Sequence, residues 1–196
     1  MRQILLIAVC LVAADPPDPA FDGKSLAGWD CLPGYWTAAN GVILGRSDGS
    51  LKTNTFLCSQ RKYKDFEMSF QIRLKDGRGN SGVQIRSEIL DKAKWSVKGP
   101  QADIGEKYWG SLYGEEFGGM MQAADFEKVK IKLKPNDYND YFIRVVGKKV
   151  TIKVNDVTTV DREFDNLPAE GIIALQLHQG MIMDVTFRNM KLKELK

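Results

Sequence analysis

The stretch FEMSFQIRL, residues 66–74, alternates apolar and polar side chains without interruption. Every second residue from Phe66 to Leu74 is apolar, and the residues between them are Glu, Ser, Gln and Arg. Because successive side chains of a β-strand point to opposite faces, this pattern predicts a strand with one buried face and one face in water. The turn residues at 76–80 then end the strand.

Strands of the same kind are predicted along most of the chain, and few segments have helical periodicity. They lie at residues 81–87, 101–104, 129–134, 141–146, 149–154, 157–160, 171–178 and 183–192. In 129–134 the lysines are expected on the solvated face of a half-buried strand. Short strands with frequent turn signals predict an all-β fold, and at 196 residues the natural choice is a jelly-roll sandwich of two antiparallel sheets. No internal repeat is visible, which indicates a single domain over residues 15–196.

The first 14 residues have the features of a secretory signal peptide. Arg2 supplies a positive charge, residues 4–12 are mostly apolar, and Ala14 precedes the expected cleavage point. The apolar stretch is too short to span a bilayer, and no later run reaches membrane length. We therefore expect a secreted or periplasmic protein without an integral membrane span. The alternatives are an uncleaved, buried N-terminal strand and a lipoprotein cysteine at Cys10.

Charge and cysteine content limit the possible partners. The 28 Lys and Arg residues against 25 Asp and Glu give a net charge of +3, and the lysines are dispersed, so no nucleic-acid partner is expected. Beyond the predicted signal peptide the sequence has two cysteines, Cys31 and Cys58. In an exported protein they could form a disulfide, and two buried free thiols are the alternative. No Cys/His spacing indicates a zinc site.

Two of the predicted strands carry rows of polar side chains. Gln176 and the single histidine, His178, share one face of their strand, and two leucines occupy the other. Gln84, Arg86 and Glu88 likewise share one face of an earlier strand. Such rows indicate a polar, ligand-facing surface on the sheet, and an outer solvated face is the alternative. The sequence contains neither a nucleophile elbow nor a P-loop.

The segment 101–116 combines carboxylates, aromatic rings and glycines. Asp103 and Glu115, if they face each other across a cleft, would match the general acid and base of a glycosidase. Trp109 is the best candidate for an exposed platform on which a sugar ring stacks. Since glycines permit the turns that would aim these groups inward, we interpret the segment as a strand and loop over a sugar site. A solvated surface turn is the alternative.

These residues, taken together, resemble the 3-keto-disaccharide hydrolase domain family. The matching segments follow one another in order through nearly the whole chain: residues 21–29, 35–36, 41–45, 63–67, 80–87 and 175–178, followed by the final strand. The resemblance implies a concanavalin A-like, laminin-G-like sandwich. It also implies an exported bacterial protein acting on sugars, of a type abundant in planctomycetes.

The resemblance also implies a particular sugar chemistry. A ketone at C3 acidifies the C2 proton, so a base can remove it and the glycosidic oxygen at C1 can leave by elimination. Water then adds back, and the net result is hydrolysis of the glycoside. Such a site needs a base, a group that stabilises the enolate and an acid for the leaving group. The substrate would have to come from a 3-keto-forming oxidoreductase.

Residue roles follow from the positions that fall in the family's motifs. His178 or Asp103 is expected to be the base, Arg86 to stabilise the enolate oxygen, and Glu115 to protonate the leaving group. Asp103, Glu115 or His178 could instead hold a divalent metal ion that replaces Arg86 as the electrophile. No other cofactor is implied. The expected substrate-binding residues are Gln101, Tyr113, Trp109, Gln176, Gln84 and Glu88.

One loop of this chain departs from the family's pattern. Relatives often carry basic residues where this sequence has the acidic, glycine-rich stretch 114–119. The alternative function is therefore a lectin-like module that binds carbohydrate without cleaving it. A structural domain of an envelope complex is the third interpretation. A catalytic site predicts that Asp103, Glu115 and His178 converge within a few ångströms in one pocket. A lectin predicts an open groove with an exposed Trp109 or Tyr108 and no such cluster.

Overall fold

A computed structural model describes residues 24–196, which form fourteen strands, one short α-helix and two single-turn 3₁₀ helices at Lys75–Gly77 and Glu106–Tyr108. In chain order the elements are β1 (Trp29–Asp30), β2 (Trp36–Ala39), β3 (Val42–Asp48), β4 (Thr55–Tyr63), β5 (Phe66–Leu74), β6 (Ser81–Asp91), β7 (Ser96–Ile104), β8 (Leu112–Glu115), β9 (Gly119–Gln122), α1 (Phe126–Lys130), β10 (Asn139–Val146), β11 (Lys149–Val154), β12 (Val157–Glu163), β13 (Gly171–Leu177) and β14 (Ile182–Glu194). The predicted signal peptide and Cys10 lie outside the described residues, as does the start of the 21–29 motif. Within 24–196, no helix has the length and apolar character needed to cross a bilayer.

The described strands form two seven-stranded sheets, which we name the front sheet and the back sheet. The front sheet has the order β1-β4-β13-β6-β7-β8-β9, and the back sheet has the order β12-β11-β10-β5-β14-β3-β2. Paired strands are antiparallel, and apolar side chains from both sheets meet in one core. The predicted all-β jelly-roll sandwich of two antiparallel sheets is therefore confirmed.

Strand β5 has the bounds that its alternating sequence predicts. It pairs with β10 on one side and β14 on the other, and every second side chain from Phe66 to Leu74 is buried. Phe70 stacks on Tyr141 of β10, with 5.1 Å between the ring centroids. Each fully buried apolar side chain of this size contributes about 1.5–3 kcal/mol, so β5 anchors the back sheet to the core.

The predicted strand at 129–134 is wrong, because helix α1 and a turn occupy this segment. Val129 and Leu133 are four residues apart, and Leu133 N donates to Val129 O at 3.1 Å, as in a helical turn. Val129 is buried, whereas Ile131 is 76% exposed. A strand would have placed Val129, Ile131 and Leu133 on one face. A six-residue alternation fits either period, and here the helical spacing determines the structure.

Strand β6 contains a bulge that breaks the predicted polar row. Its register with β7 shifts between Gln84 and Glu88, and Arg86 has a φ of 48°. The neighbouring β13 approaches so closely that a Cβ on Gly171 would lie 2.2 Å from the carbonyl carbon of Arg86. A bulge bends the strand and redirects its side chains. Gln84, Arg86 and Glu88 therefore do not share one face.

Both cysteines in the described chain are free thiols. Cys58 is buried in β4, and burial raises the pKa of its thiol to about 12. Cys31 is half-buried, and burial raises its pKa as well. The structure therefore has the arrangement with two free thiols, of which Cys58 is protonated and unreactive at neutral pH.

Candidate active site

A polar cleft of about 470 Å³ opens on the outer face of the front sheet. Leu175 and Leu177 of β13 point into the core, so Gln176 between them points outward and forms part of the cleft floor. The cleft is lined by Asn54, Asn80, Gln101, Asp103, Tyr108, Tyr113, Glu115, Glu116, Met120, Gln176, His178 and Gln179. Most of these side chains are carboxylates, amides and phenols, which suits a polyhydroxylated ligand.

The cleft brings together six of the ten side chains predicted for the site. These are Gln101, Asp103, Tyr113, Glu115, Gln176 and His178. The other four do not line it: Gln84 lies beneath it, and Arg86, Glu88 and Trp109 lie elsewhere. Asp103, Glu115 and His178, the three residues predicted for acid–base chemistry, all line this one cleft.

A chain of buried amides positions the carboxylate of Asp103. Gln101 Nε2 donates to Asp103 Oδ1 at 2.7 Å and lies 3.2 Å from Gln176 Oε1. The Gln101 side chain lies flat over Gly82 of β6, where a Cβ would come within 2.4 Å of Gln101 Cδ. Only glycine fits at this position without displacing Gln101. Gly82 therefore helps to fix the amide that holds Asp103.

Gln84 anchors the other end of this chain beneath the cleft. In one amide orientation its Nε2 donates to Gln101 Oε1 at 2.9 Å and its Oε1 accepts from Ser87 Oγ at 2.6 Å. In the reversed orientation, which satisfies its surroundings better, its nitrogen donates to Ser87 Oγ and to the carbonyl oxygen of Pro100. Only the first orientation donates a hydrogen bond to Gln101, whereas the reversed one ties the Gln84 amide to Ser87 and Pro100. Gln84 therefore supports the cleft floor and does not line the cleft.

Asp103 is a buried carboxyl group whose pKa is raised from 3.8 to about 7. Burial is the main cause, the hydrogen bond from Gln101 opposes it, and the nearby charge of Glu115 adds to it. A group with this pKa is present in both protonation states near neutral pH. General acid–base catalysis works best with such a group, because it can then both give and take a proton.

Glu115 is the second carboxylate of the cleft, and burial raises its pKa as well. Asn54 Nδ2 donates to Glu115 Oε1 at 2.7 Å and lowers the pKa, whereas the charge of Glu116 raises it. Asn54 is itself fixed, because Gln179 N donates to its Oδ1 at 2.9 Å. The Glu115 carboxyl is therefore held in place with an increased tendency to carry a proton.

His178 and Tyr113 complete the polar wall of the cleft. His178 Nδ1 lies 2.8 Å from the carbonyl oxygen of Gln179, to which it donates when it carries the proton. In that tautomer the neutral ring has Nε2 as its acceptor. Burial first, and then the charges of Glu115 and Asp103, raise the pKa of Tyr113. Its hydroxyl therefore stays protonated and can donate a hydrogen bond.

Arg86 requires a correction, because the structure places its guanidinium away from the cleft. Nε donates to Lys64 O, Nη1 donates to Gly147 O at 2.7 Å and to Pro168 O at 2.9 Å, and Nη2 binds Asp65 Oδ1 at 2.7 Å. Its side chain is only 1% exposed. Arg86 therefore joins several loops of the sandwich and cannot reach an enolate oxygen in the cleft.

Trp109 and Glu88 also lie outside the cleft. Trp109 is 7% exposed and belongs to the core, so it is not a stacking platform; its neighbour Tyr108 lines the cleft instead. Glu88 is exposed and pairs with Lys98 at 3.2 Å. Aromatic character alone could not distinguish Trp109 from Tyr108, because the turn between β7 and β8 decides which ring faces inward.

Six cleft residues were not predicted, and five of them lie in loops or turns. These five are Asn54, Asn80, Tyr108, Glu116 and Gln179, and the sixth is Met120 of β9. Asn54 precedes β4 and Gln179 follows β13, and these neighbouring strands place the two residues together. The contact between them joins residues 125 positions apart, which no local pattern reveals. In residues 24–196 no group of three or more His, Cys, Asp or Glu side chains is placed to hold a metal ion.

The fold and the cleft together define a class: a jelly-roll sandwich whose front sheet carries a cleft lined by carboxylates and amides. A model of the 3-keto-alpha-glucoside-1,2-lyase-like domain matches residues 16–193. The chain belongs to this family, and the resemblance indicated by the sequence motifs is confirmed. A comparison with curated proteins gives no match.

Solved structures share the sandwich at low sequence identity. A protein of Parabacteroides distasonis, provisionally assigned as a glycosyl hydrolase, is 21% identical with a TM-score of 0.63; the alignment covers 88% of this chain and 96% of that one. The carbohydrate-binding module CBM66 of Bacillus subtilis is 22% identical with a TM-score of 0.66, over 85% and 96% of the two chains. The exoplasmic domain of VIP36 is 13% identical with a TM-score of 0.60, over 86% and 85%. At these identities the similarity concerns the fold.

Proposed function

We propose that the protein hydrolyses 3-keto-glycosides, including 3-keto-disaccharides, by C2 proton abstraction, elimination and addition of water. The observation that carries this proposal is the convergence of Asp103, Glu115 and His178 in one polar cleft. Membership of the 3-keto-alpha-glucoside-1,2-lyase-like family supports the substrate class. The similarity to a protein assigned as a glycosyl hydrolase agrees with glycoside hydrolysis at a coarser level.

The first step removes the proton from C2 of the 3-keto sugar. The C–H electrons form an enolate on the C3 ketone, and Asp103 or His178 takes the proton. The enolate then expels the oxygen on C1, which Glu115 protonates as it leaves. Water adds to C1 of the resulting enone while a proton returns to C2, so the products are a 3-keto sugar and an alcohol. The raised pKa values of both carboxyl groups suit this exchange of protons.

The enolate oxygen needs a hydrogen-bond donor, and Arg86 is not available for this role. Gln176 accepts from Gln101 through its Oε1, so its Nε2 retains hydrogen atoms to donate into the cleft. The Tyr113 hydroxyl is a second protonated donor on the wall of the cleft. We assign these two groups to the C3 oxygen. Fixed donors of this kind stabilise negative charge that develops in the transition state.

Three further statements belong to this proposal. The alternative electrophile is a divalent metal ion on Asp103, Glu115 or His178; because the described residues group fewer than three such ligands together, water or substrate would have to complete its coordination, and a chelator tests it. An oxidoreductase that converts a C3 hydroxyl to a ketone must supply the substrate. Export through the predicted signal peptide at residues 1–14 would place the reaction in the periplasm or outside the cell.

The deciding experiment compares a 3-keto-glucoside with its unoxidised parent, with and without chelator. We expect cleavage of the keto sugar alone. In deuterated water the released 3-keto sugar should carry deuterium at C2 from the first turnover, and free product incubated without enzyme provides the control for spontaneous exchange. Equal cleavage of both substrates, or product without deuterium at C2, would exclude the elimination mechanism. Loss of activity with chelator would show that the mechanism also requires a metal ion.

Binding without cleavage is the second candidate function. The exposed acidic wall at Glu116 and the rings of Tyr108 and Tyr113 give the cleft features of a lectin groove. The similarity to a carbohydrate-binding module in fold agrees with this alternative. If neither sugar is cleaved but calorimetry detects glycan binding, the lectin function replaces the hydrolase.

A further inference from the structure

A second cavity of about 400 Å³ adjoins the active-site cleft, and we name the cleft the first lobe and this cavity the second lobe. Both lobes share Asn54, Glu115, Glu116 and Gln179 in their lining. Glu115 and Asn54, joined by their 2.7 Å hydrogen bond, therefore stand at the junction between the lobes. Asp103 and His178 line the first lobe only.

We propose that the second lobe is the subsite for the leaving group, a neutral sugar, and this assignment rests on the proposed function. The 3-keto ring then lies in the first lobe beside Asp103 and His178. The glycosidic bond crosses the junction, where Glu115 reaches the leaving oxygen. A volume of about 400 Å³ falls within the range of small-molecule sites, roughly 300–1,000 Å³.

The tip of the β6–β7 hairpin forms the far wall of this lobe and is held in place. Thr55 Oγ1 donates to Lys94 O at 2.8 Å, and Phe56 N donates to Trp95 O at 3.0 Å, so the tip is tied to β4. Within the tip, Ala93 N donates to Asp91 Oδ1 at 2.8 Å. A wall fixed in this way can select ligands by shape, because it loses little entropy when they bind.

The lining of the second lobe matches the chemistry of a neutral sugar. Leu90 is 56% exposed and offers an apolar surface for a ring face, while Thr53, Ser96 and Lys94 offer hydrogen-bonding groups. Asp91, Glu115 and Glu116 bring three carboxylates against the single ammonium group of Lys94. This excess of negative charge disfavours an anionic leaving group such as a uronic acid, since like charges repel.

Two substrates separate the subsite from the catalytic chemistry. A 3-keto-disaccharide with a neutral leaving sugar occupies both lobes, whereas methyl 3-keto-glucoside occupies only the first. We expect Lys94→Ala and Leu90→Asp to lower kcat/KM for the disaccharide about tenfold, and to change it less than twofold for the methyl glycoside. Tenfold corresponds to the loss of about 1.4 kcal/mol of binding. A disaccharide with a uronate leaving group should be the poorest substrate of the wild type.

Lys98→Ala is the matched control, because Lys98 lies on the same hairpin, pairs with Glu88 and does not line the lobe. This variant should leave kcat/KM unchanged for both the disaccharide and the methyl glycoside. If Lys94→Ala and Leu90→Asp lower kcat/KM equally for both substrates, or change it for neither substrate, the subsite assignment is overturned while the hydrolase function stands. If the wild type cleaves neither substrate, the proposed function fails and the subsite assignment fails with it.

Discussion

Strands β13 and β5 run through the interiors of the two sheets, yet their outer faces differ. All seven residues of β13 are buried, whereas β5 alternates between buried and half-buried residues. On the front sheet the outward amides of Gln101 and Gln176 contact each other beneath the cleft. On the back sheet outward side chains form exposed pairs, such as Arg46 with Asp184. Loops cover the front sheet, and the back sheet faces water.

Cavity volume does not distinguish the two faces. A groove of about 500 Å³ lies on the back sheet, slightly larger than the 470 Å³ cleft of the front sheet. The aspartates of the back groove, Asp140 and Asp156, are exposed, whereas Asp103 in the cleft is buried. Burial of a carboxyl group shifts its pKa and makes it useful for proton transfer. The two cavities therefore differ in the burial of their carboxyl groups and hardly in volume.

The largest expected effect comes from Asp103→Asn in the front sheet. Removing an acid–base group typically costs about 10² to 10⁴ in rate, so kcat for a 3-keto-glucoside should fall by that factor. Stability should not fall, because the substitution keeps the shape of the side chain. Glu106→Gln is the control, since Glu106 is an exposed acid in the turn that directly follows β7 and does not line the cleft. Similar kcat values for both variants would show that the buried carboxyl of the front sheet has no greater catalytic importance than an exposed acid.

The next effect is on stability, through Arg86→Met in the front sheet. The substitution leaves Asp65 and the carbonyls of Lys64, Gly147 and Pro168 without their donor. Breaking a buried ion pair costs about 3–5 kcal/mol, which denaturant titration would detect. The rate per folded molecule should be unchanged, because Arg86 does not line the cleft. A selective loss of kcat with normal stability would restore its predicted catalytic role.

The third effect is smaller and concerns how the free energy of unfolding depends on pH, because the front-sheet carboxyl Asp103 is buried and the back-sheet aspartates are not. The pKa of Asp103 is about 7 in the folded chain and about 4 when unfolded, so between these values the folded state binds more protons. The stability contributed by protonated Asp103 is therefore present below pH 4 and lost as pH rises to 7, by up to about 1.4 kcal/mol per pH unit. The stability difference between wild type and Asp103→Asn should follow this slope. A flat difference between pH 5 and 8 would contradict the burial argument.

The smallest effect is expected on the back sheet, from Arg46→Ala. Arg46 is exposed and binds Asp184 through two hydrogen bonds of 2.9 Å. The bonded guanidinium holds the pKa of Asp184 below its ordinary value. Exposed ion pairs contribute little because water screens them. The melting temperature should change by no more than the scatter between repeat scans. A clear drop would show that exposed ion pairs of the back sheet contribute to stability as much as the buried contacts of the front sheet.

The fold could be predicted from the sequence wherever alternation was long. Residues 66–74 and the hairpin of 141–146 with 149–154 were located correctly, because one face of each strand is buried and the period of two is unambiguous. The segment 129–134 was too short to separate the two periods, and a helix formed there. The length of the alternating segment therefore decided whether the predicted strand was correct.

The site was harder to predict, because its geometry depends on irregular backbone. Alternation placed Gln101 with Asp103 and Gln176 with His178 correctly, since β7 is regular there and His178 directly follows the end of β13. It failed at Arg86, because a bulge in β6 reverses the expected side. Asn54 lies in a loop, where no hydrophobic periodicity predicts the position of a side chain. Bulges and loops follow from tertiary packing, which local sequence does not encode.

The four contacts of Arg86 also have a consequence for how the chain folds. Its carbonyl partners lie 22, 61 and 82 residues away in sequence, in loops flanking strands of both sheets. In a partly assembled sandwich some of these acceptors are missing, and water solvates the guanidinium in their place. Arg86 therefore makes all four contacts only when the loops of both sheets are in place. It makes unfolding more cooperative, and we expect its contacts to form late, after the transition state.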